Sequence, residues 1–343
     1  MARLPDILRT KSNDRHLYAV GRIRALETRL LDKDIVRELV EAPTLRDVYN
    51  DLRDTEYGEE VVATEETLDF ERLLSLETRQ MLDLIDSISP DPELTDLIIY
   101  QFDVQNIKML LKARLAGAPA PDSLYTFGRF PLDDLRALVQ GESVNYMPRW
   151  LADAVSKVER EWKNTPNLRI IDAILDGALA MAQLEGAQNA HRPVLITYFQ
   201  LMIDTQNVNA FTRIRISERS KNQFEQFFVP GGELSLAFFK DTWDTTIREL
   251  GRIFENTSFH NMVVKSLEEY QTEGTLTMLE VEKKRLLLEL LKPSQYITFG
   301  PEPILAYLIT KLYEIELIRL IMVAKKNGLP VEDLRKRVMV YYV

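Results

Sequence analysis

A self-similarity at a spacing of about one hundred residues constrains this 343-residue chain more than any other feature. The segment Asp103-Val104-Gln105-Asn106-Ile107-Lys108 matches Asp204-Thr205-Gln206-Asn207-Val208-Asn209. At the same offset Leu110 meets Phe211, Lys112 meets Arg213 and Arg114 meets Arg215. A weaker third copy reads Glu314-Ile315-Glu316-Leu317-Ile318-Arg319, with Glu314 for Asp103, Arg319 for Lys108 and Lys325 for Arg114. An internal repeat implies one supersecondary unit used several times, so the fold must accommodate copies of one another.

Two further markers keep the same interval. An acid at the opening of a helix recurs at Asp32, Asp133, Glu233 and Glu332; a carboxylate there accepts from free amides and complements the helix dipole. Four such starts enclose three units. Thr55-Glu56-Tyr57 follows Asp32 by nearly the interval at which Thr257-Ser258-Phe259 follows Glu233. The expected division is an N-terminal arm over 1–16, units over 17–130, 131–230 and 231–329, and a closing helix over 330–343.

Within the units the periodicity is helical. From Asp103, a turn of ~100° per residue brings Asn106, Ile107, Leu110 and Arg114 to one side. Leu17 to Leu31, Leu73 to Ile88, Ile170 to Leu184, Met278 to Leu291 and Ile304 to Lys326 also read as helices. Alternating strands with hairpin signals are missing, and glycine (13) and proline (15) are scarce for a turn-rich β architecture. The expectation is therefore an all-α fold. Asp103 and Asn106, with Asp204 and Asn207, are short polar groups on an otherwise apolar face. Side chains of this kind can satisfy backbone groups at loops where one unit meets the next. The competing reading, a ligand or ion site, fits poorly because Leu317 replaces the amide in the third copy and a cation needs more oxygens.

Chemistry is conspicuous by its missing parts. Without cysteine there is no disulfide, zinc–thiolate site, iron–sulfur cluster or cysteine nucleophile, which fits a reducing compartment. Neither a phosphate-binding Gly-x-x-x-x-Gly-Lys-Ser/Thr loop nor Gly-x-Gly-x-x-Gly occurs, and Gly231-Gly232 reads as a turn. The residues three before His16, His191 and His260 are Asn13, Gln188 and Thr257, so no Glu-x-x-His pair of a helical di-iron site is present. Asp133-Asp134 lacks the third acid of a diphosphate-binding motif, and no Gly-x-Ser-x-Gly elbow accompanies any serine. Asn256-Thr257-Ser258 matches a glycosylation sequon, but Met1 to Asp6 carry no apolar stretch, so no secretory signal is expected and the sequon is read as carrying no function. No catalytic residue, cofactor or metal ligand is expected, and no apolar run approaches the ~18 residues of a transmembrane helix.

A net charge of −10 argues against nucleic acid as a partner. The charge is unevenly spread, with ten acids to three arginines between Asp51 and Arg79 and a basic C-terminal end. Glu59, Glu60, Glu65 and Glu66 in the first block, and Lys325, Lys326, Arg335, Lys336 and Arg337 in the second, read either as solvated faces or as docking charges.

Taken in order, several segments resemble the C subunit of the archaeal and bacterial V/A-type rotary ATPases, the counterpart of the d subunit of eukaryotic V-ATPase. They are Tyr18-Ala19-Val20-Gly21-Arg22-Ile23-Arg24 running to Leu30-Leu31, Leu52-Arg53-Asp54-Thr55-Glu56-Tyr57-Gly58, and Asp103-x-x-Asn106-x-Lys108. Gly300-Pro301-Glu302-Pro303 then leads to Tyr307 and Glu314-Ile315-Glu316-x-x-Arg319. The resemblance covers residues 17–338. It implies a cytoplasmic funnel of three similar helical domains about a pseudo-threefold axis, attached peripherally to the membrane through its complex. Such a part sits on the membrane proteolipid ring, accepts the axle made by the D and F subunits, and couples rotation to ion transport without an active site. The alternative is a generic helical-repeat adaptor, which would not bind rotor components.

Overall fold

The computed structural model describes residues 14–121, 123–164, 166–217 and 220–338; residues 1–13 of the expected arm and 339–343 of the closing helix lie outside them. Among the described residues every regular element is helical. In chain order these are α1 (Leu17–Glu27), α2 (Lys33–Glu41), α3 (Leu45–Leu52), α4 (Gly58–Thr64), α5 (Phe70–Ile88) and α6 (Pro92–Ala116). There follow α7 (Leu132–Gln140), α8 (Arg149–Asn164), α9 (Leu168–Asn189), α10 (Pro193–Ile216), α11 (Lys221–Phe227) and α12 (Leu236–Asp241). The run ends with α13 (Leu250–Ile253), α14 (His260–Glu273), α15 (Thr277–Leu291), α16 (Glu302–Lys326) and α17 (Val331–Val338). None of them is long and apolar enough to cross a membrane. Two compact units emerge: a terminal unit, Met1–Pro92 with Lys265–Val343, and a central unit, Glu93–Val264.

In the terminal unit the two ends of the chain make one core. Short polar caps start its helices: Asp32 accepts from the amides of Asp34 and Ile35, each at 2.9 Å, and Thr44 with Asp47 forms a reciprocal capping box. The apolar faces thus oriented, Val36, Leu39, Val48, Leu52, Leu73 and Leu74 among them, close on Ile315, Leu317, Ile318 and Ile321 of α16 and on Leu334 and Val338 of α17. Each Leu or Ile buried in this way contributes on the order of 2 kcal/mol. Helix α16 is apolar on nearly every side, as a helix surrounded by others must be. Helix α1 stops at Glu27, short of the expected Leu31, and Arg24 fastens it to the segment before α16 through the carbonyls of Ser294 and Ile297, both at 2.8 Å.

The central unit has an aliphatic core and an aromatic one. Val104, Ile107 and Leu111 of α6 pack with Leu135 and Leu138 of α7, Leu151 and Val158 of α8, and Ile171 and Leu175 of α9. Farther along, Phe211 on α10 sits amid Phe224, Phe239, Trp243 and Phe254 at ring separations of 5.1–6.3 Å. Arg215, one turn on from Phe211, lies 5.3 Å from the Trp243 ring and donates to the carbonyls of Trp243 and Thr245. Those carbonyls stand where a charged donor is worth more than a neutral one.

Candidate functional site

The three repeat helices are α6, α10 and α16, and each uses its repeated acid to hold the loop that leads into a short helix. On α6 the buried Asp103 carboxylate accepts from the amides of Arg129 (2.9 Å) and Phe130 (3.2 Å). On α10, Asp204 accepts from Glu233 (2.7 Å) and Leu234 (3.1 Å). One helical turn on, the Asn106 amide group exchanges two hydrogen bonds with the backbone of Tyr125, at 2.8 and 2.9 Å, and Asn207 does the same with Val229, at 2.7 and 2.9 Å. A carboxamide presents its donor and its acceptor side by side, so one side chain can pair with both the amide and the carbonyl of a single residue. Leaving such backbone groups unpaired would cost about 1–3 kcal/mol each. In both copies a glycine, Gly128 or Gly232, immediately precedes the two donating amides, and a Cβ at either would collide with the aspartate. Burial pushes Asp103 up to about 6 even though the amides of Arg129 and Phe130 favour its charged form, and Asp204 is raised to about 6 in the same way.

The geometry corrects one sequence marker. Glu233 does not open a helix: it lies in the clasped loop, its amide bound to Asp204, and α12 begins at Leu236 with Ser235 as its cap. Phe130 and Leu234, two residues ahead of α7 and α12, are the equivalent positions. The connection from α10 to α12, which contains α11, is therefore a few residues longer than that from α6 to α7, and the true partner of Glu233 is Arg129.

The third copy is built differently. Glu314 accepts from the amide of Leu31 (2.6 Å), two residues ahead of α2, so the clasp joins the C-terminal repeat helix to a loop near the N-terminus. The same carboxylate accepts from the Tyr57 hydroxyl and from Lys311, each at 2.8 Å. Lys311, 2 % exposed, also pairs with Glu77 of α5 at 2.8 Å and lies 4.1 Å from the centre of the Tyr57 ring. Burial opposes the ammonium charge, but Glu314 and Glu77 outweigh it and hold Lys311 above the ordinary lysine range. Burial likewise raises Glu77, which one lysine shared with Glu314 only partly offsets. Burial and the neighbouring Glu314 put the Tyr57 hydroxyl well above its usual range, so it keeps the proton it donates to Glu314. Leu317, in place of the asparagine, is buried in the apolar core. Lys311 and Glu77 carry no repeat signature, since Tyr100 and Leu201 stand three residues before the acid in the other copies.

The repeated cations tie helices together. Lys108 pairs with Asp176 on α9, and Arg319 with Glu71 on α5 at 3.1 Å. The threonine marker has one local geometry in both places: Thr55 donates to the Leu52 carbonyl at 2.6 Å and accepts from the Tyr57 amide at 3.2 Å, while Thr257 donates to Phe254 at 2.8 Å and accepts from Phe259 at 3.2 Å.

Among the candidate docking charges the structure separates surface from interior. Glu59 and Glu66 are exposed beside the exposed Val62, whereas Glu65 is ion-paired with Arg53. Glu60 is 2 % exposed and so cannot meet a partner, because its place on α4 turns it toward the interior. Lys325 is likewise committed, donating at 2.5 Å to the Val40 carbonyl near the end of α2. Lys326 is exposed and lies 5.4 Å from the Phe70 ring centre; Arg335 pairs with Glu41 at 2.7 Å, Lys336 with Glu273 at 2.6 Å, and Arg337 is exposed.

Relatives with known assignments match along almost the whole chain. It is 23% identical to the C subunit of the A-type ATP synthase of Pyrococcus abyssi, over 94% of this chain and 89% of the relative. It is 24% identical to the C subunit of the A-type ATP synthase of Methanocaldococcus jannaschii, over 93% of this chain and 85% of that one. Against the C subunit of the V-type sodium ATPase of Enterococcus hirae the identity is 24%, over 93% and 97% of the two chains. The family model described as ATP synthase (C/AC39) subunit matches residues 19–337, from the first turn of α1 almost to the end of α17. With nearly its full described length inside that match, the chain belongs to the ATP synthase (C/AC39) subunit family.

Proposed function

We propose that this protein is the non-catalytic central-stalk rotor subunit of a V/A-type rotary ATPase. It serves as a socket that joins the axle of D and F subunits to the membrane proteolipid ring and transmits torque coupled to ion translocation. The observation that carries this reading is the family match over residues 19–337, with relatives named as the C subunit of A-type ATP synthases and of a V-type sodium ATPase. The protein acts on the cytoplasmic side, attached peripherally through its complex. Its three repeat units, 17–130, 131–230 and 231–329, each contribute one clasped helix.

Physical features favour the same reading. A torque-bearing part must resist deformation, and close-packed helices have low compressibility. Clasps that bind loop backbone to helix interiors, as Asp103, Asp204 and Glu314 do, remove loop freedom where a load would otherwise be dissipated. Docking falls to charges still exposed, with Glu59 and Glu66 at one place and Lys326 and Arg337 at another. Such charges govern orientation and association rate.

The test is recovery of the tagged protein from detergent-solubilised membranes. Co-purification of the proteolipid ring and the axle proteins is expected. Recovery of neither, from membranes in which the rotary complex is intact, would replace this reading with that of an unrelated adaptor.

A further inference from the structure

The central unit carries an open trough of about 560 Å³ between α8, α9 and the end of α11 with the segment that follows it. Along α8 its wall is Trp150, Asp153, Lys157 and Arg160, spaced three or four residues apart and therefore on one helical face. That face is about 15 Å long, the length of roughly ten residues of a second helix. Ala173, Gly177 and Met181 on α9, four residues apart, form a low floor, with Val229 packed against Gly177 at its edge. Phe227 and Phe228 close the far side with apolar surface.

Two properties decide what the trough fits. Asp153, Lys157, Arg160, Met181 and Gln226 are exposed, Met181 to 40 %, so the cleft is shallow and most of an occupant's back stays in solvent. Small-molecule pockets bury roughly 70–90 % of their ligand and are deeper than this. A helix laid lengthwise buries only one stripe. The rim is also positive. Asp153 is offset by Arg149 at 3.6 Å, while among the described residues neither Lys157 nor Arg160 is ion-paired. In a chain of net charge −10, two such cations beside an apolar floor select an acidic occupant and steer it on approach.

We propose that this trough docks an amphipathic helix of another protein chain, its apolar stripe on Ala173, Gly177 and Met181 and its carboxylates along Lys157 and Arg160. The inference stands on the central unit alone and does not require the socket reading. To test it, Met181 is replaced by the photo-crosslinker p-benzoylphenylalanine in the full chain. The protein is then purified with its bound partners and irradiated, and the joined residue is identified by mass spectrometry. The expected product joins position 181 to a helical segment with an apolar stripe and carboxylates three or four residues apart on one flank. A synthetic peptide of that segment should bind the free wild-type chain, and Lys157→Glu with Arg160→Glu should weaken it at least tenfold. Lysines in place of the peptide's carboxylates should then restore binding to the reversed variant. Cross-linking only to lipid, to a small molecule, to this chain itself or to a basic segment would overturn the proposal. So would an absence of cross-links, or equal peptide affinity for the wild-type and reversed chains. Both altered cations are exposed, and an unchanged thermal transition of the variant confirms that the fold is intact.

Discussion

The clasps of the central unit and the clasp of the terminal unit do the same work with different chemistry. In the central unit an aspartate reaches backbone amides only 26 or 29 residues along the chain, over a glycine that lets it come close. In the terminal unit Glu314 reaches an amide 283 residues away, with Arg29 where the glycine would stand, and is braced by Lys311, Tyr57 and Glu77. A glutamate's extra methylene spans the wider gap that a side-chain-bearing loop imposes. Closing the longer loop costs about 2 kcal/mol more on the logarithmic dependence of closure entropy. The additional charge-assisted bonds are of the size needed to offset that cost. The lesson is that repeated geometry can be kept while its chemistry follows how the two pieces are connected.

If the comparison is right, removing the cation should have the largest effect. Lys311→Met leaves Glu77 and Glu314 buried without their partner and should destabilise the terminal unit by about 3–5 kcal/mol. Adding Glu77→Gln and Glu314→Gln should recover part of it, as measured by denaturant unfolding. A loss below about 1 kcal/mol for Lys311→Met would make the cluster incidental. In the central unit the sensitive atom is a missing one. Gly232→Ala drives a methyl group into the Asp204 carboxylate and should cost about 1–3 kcal/mol, as overpacking does. Combining it with Asp204→Ala should add much less than the sum of the two, which a double-mutant cycle would reveal.

How far the repeat could be read in advance depended on side-chain length and chain order. Asp103 with Asn106 and Asp204 with Asn207 stand out because identical chemistry recurs at one offset on two helices. The loops they bind were harder to locate, since a few extra residues after α10 moved the donors from the expected register. Glu233 beside Gly232 looked like an ordinary helix start. The partner of Glu314 was hidden more thoroughly: it sits near the other end of the chain and contributes an amide, which nearly every residue has. Lys311 and Glu77 occupy helical positions whose counterparts are Tyr100 and unrelated residues, so no periodic signal marked them. Glu60 shows the converse limit, because a run of acids gives no indication of which one turns inward.

A smaller effect separates the two regions by pH. Asp103 and Asp204 titrate near 6 when folded, against ~3.9 for a free aspartate. The folded state therefore holds extra protons between those values. Stability from these groups is present below pH ~4 and is lost as pH rises through about 6. The advantage of wild type over Asp204→Asn should accordingly be larger at about pH 5 than at about pH 7.5, by about 1.4 kcal/mol, in matched denaturation series. A gap that widened toward the higher pH would reverse the assigned direction. Least of all, Asp32→Ala removes the cap beside the Glu314 clasp and should cost about 1 kcal/mol in thermal unfolding, with the clasp itself intact.

The central proposal is that this chain couples the axle to the membrane ring without an active site of its own. Measuring ATP hydrolysis and ion transport together, on a rotary complex reconstituted with and without this protein, tests it most directly. The account predicts that omission leaves hydrolysis running while ion transport collapses, and that adding the wild-type chain restores the coupling. Ion transport that proceeds equally well without the protein, or ATP hydrolysis by the isolated chain, would contradict it.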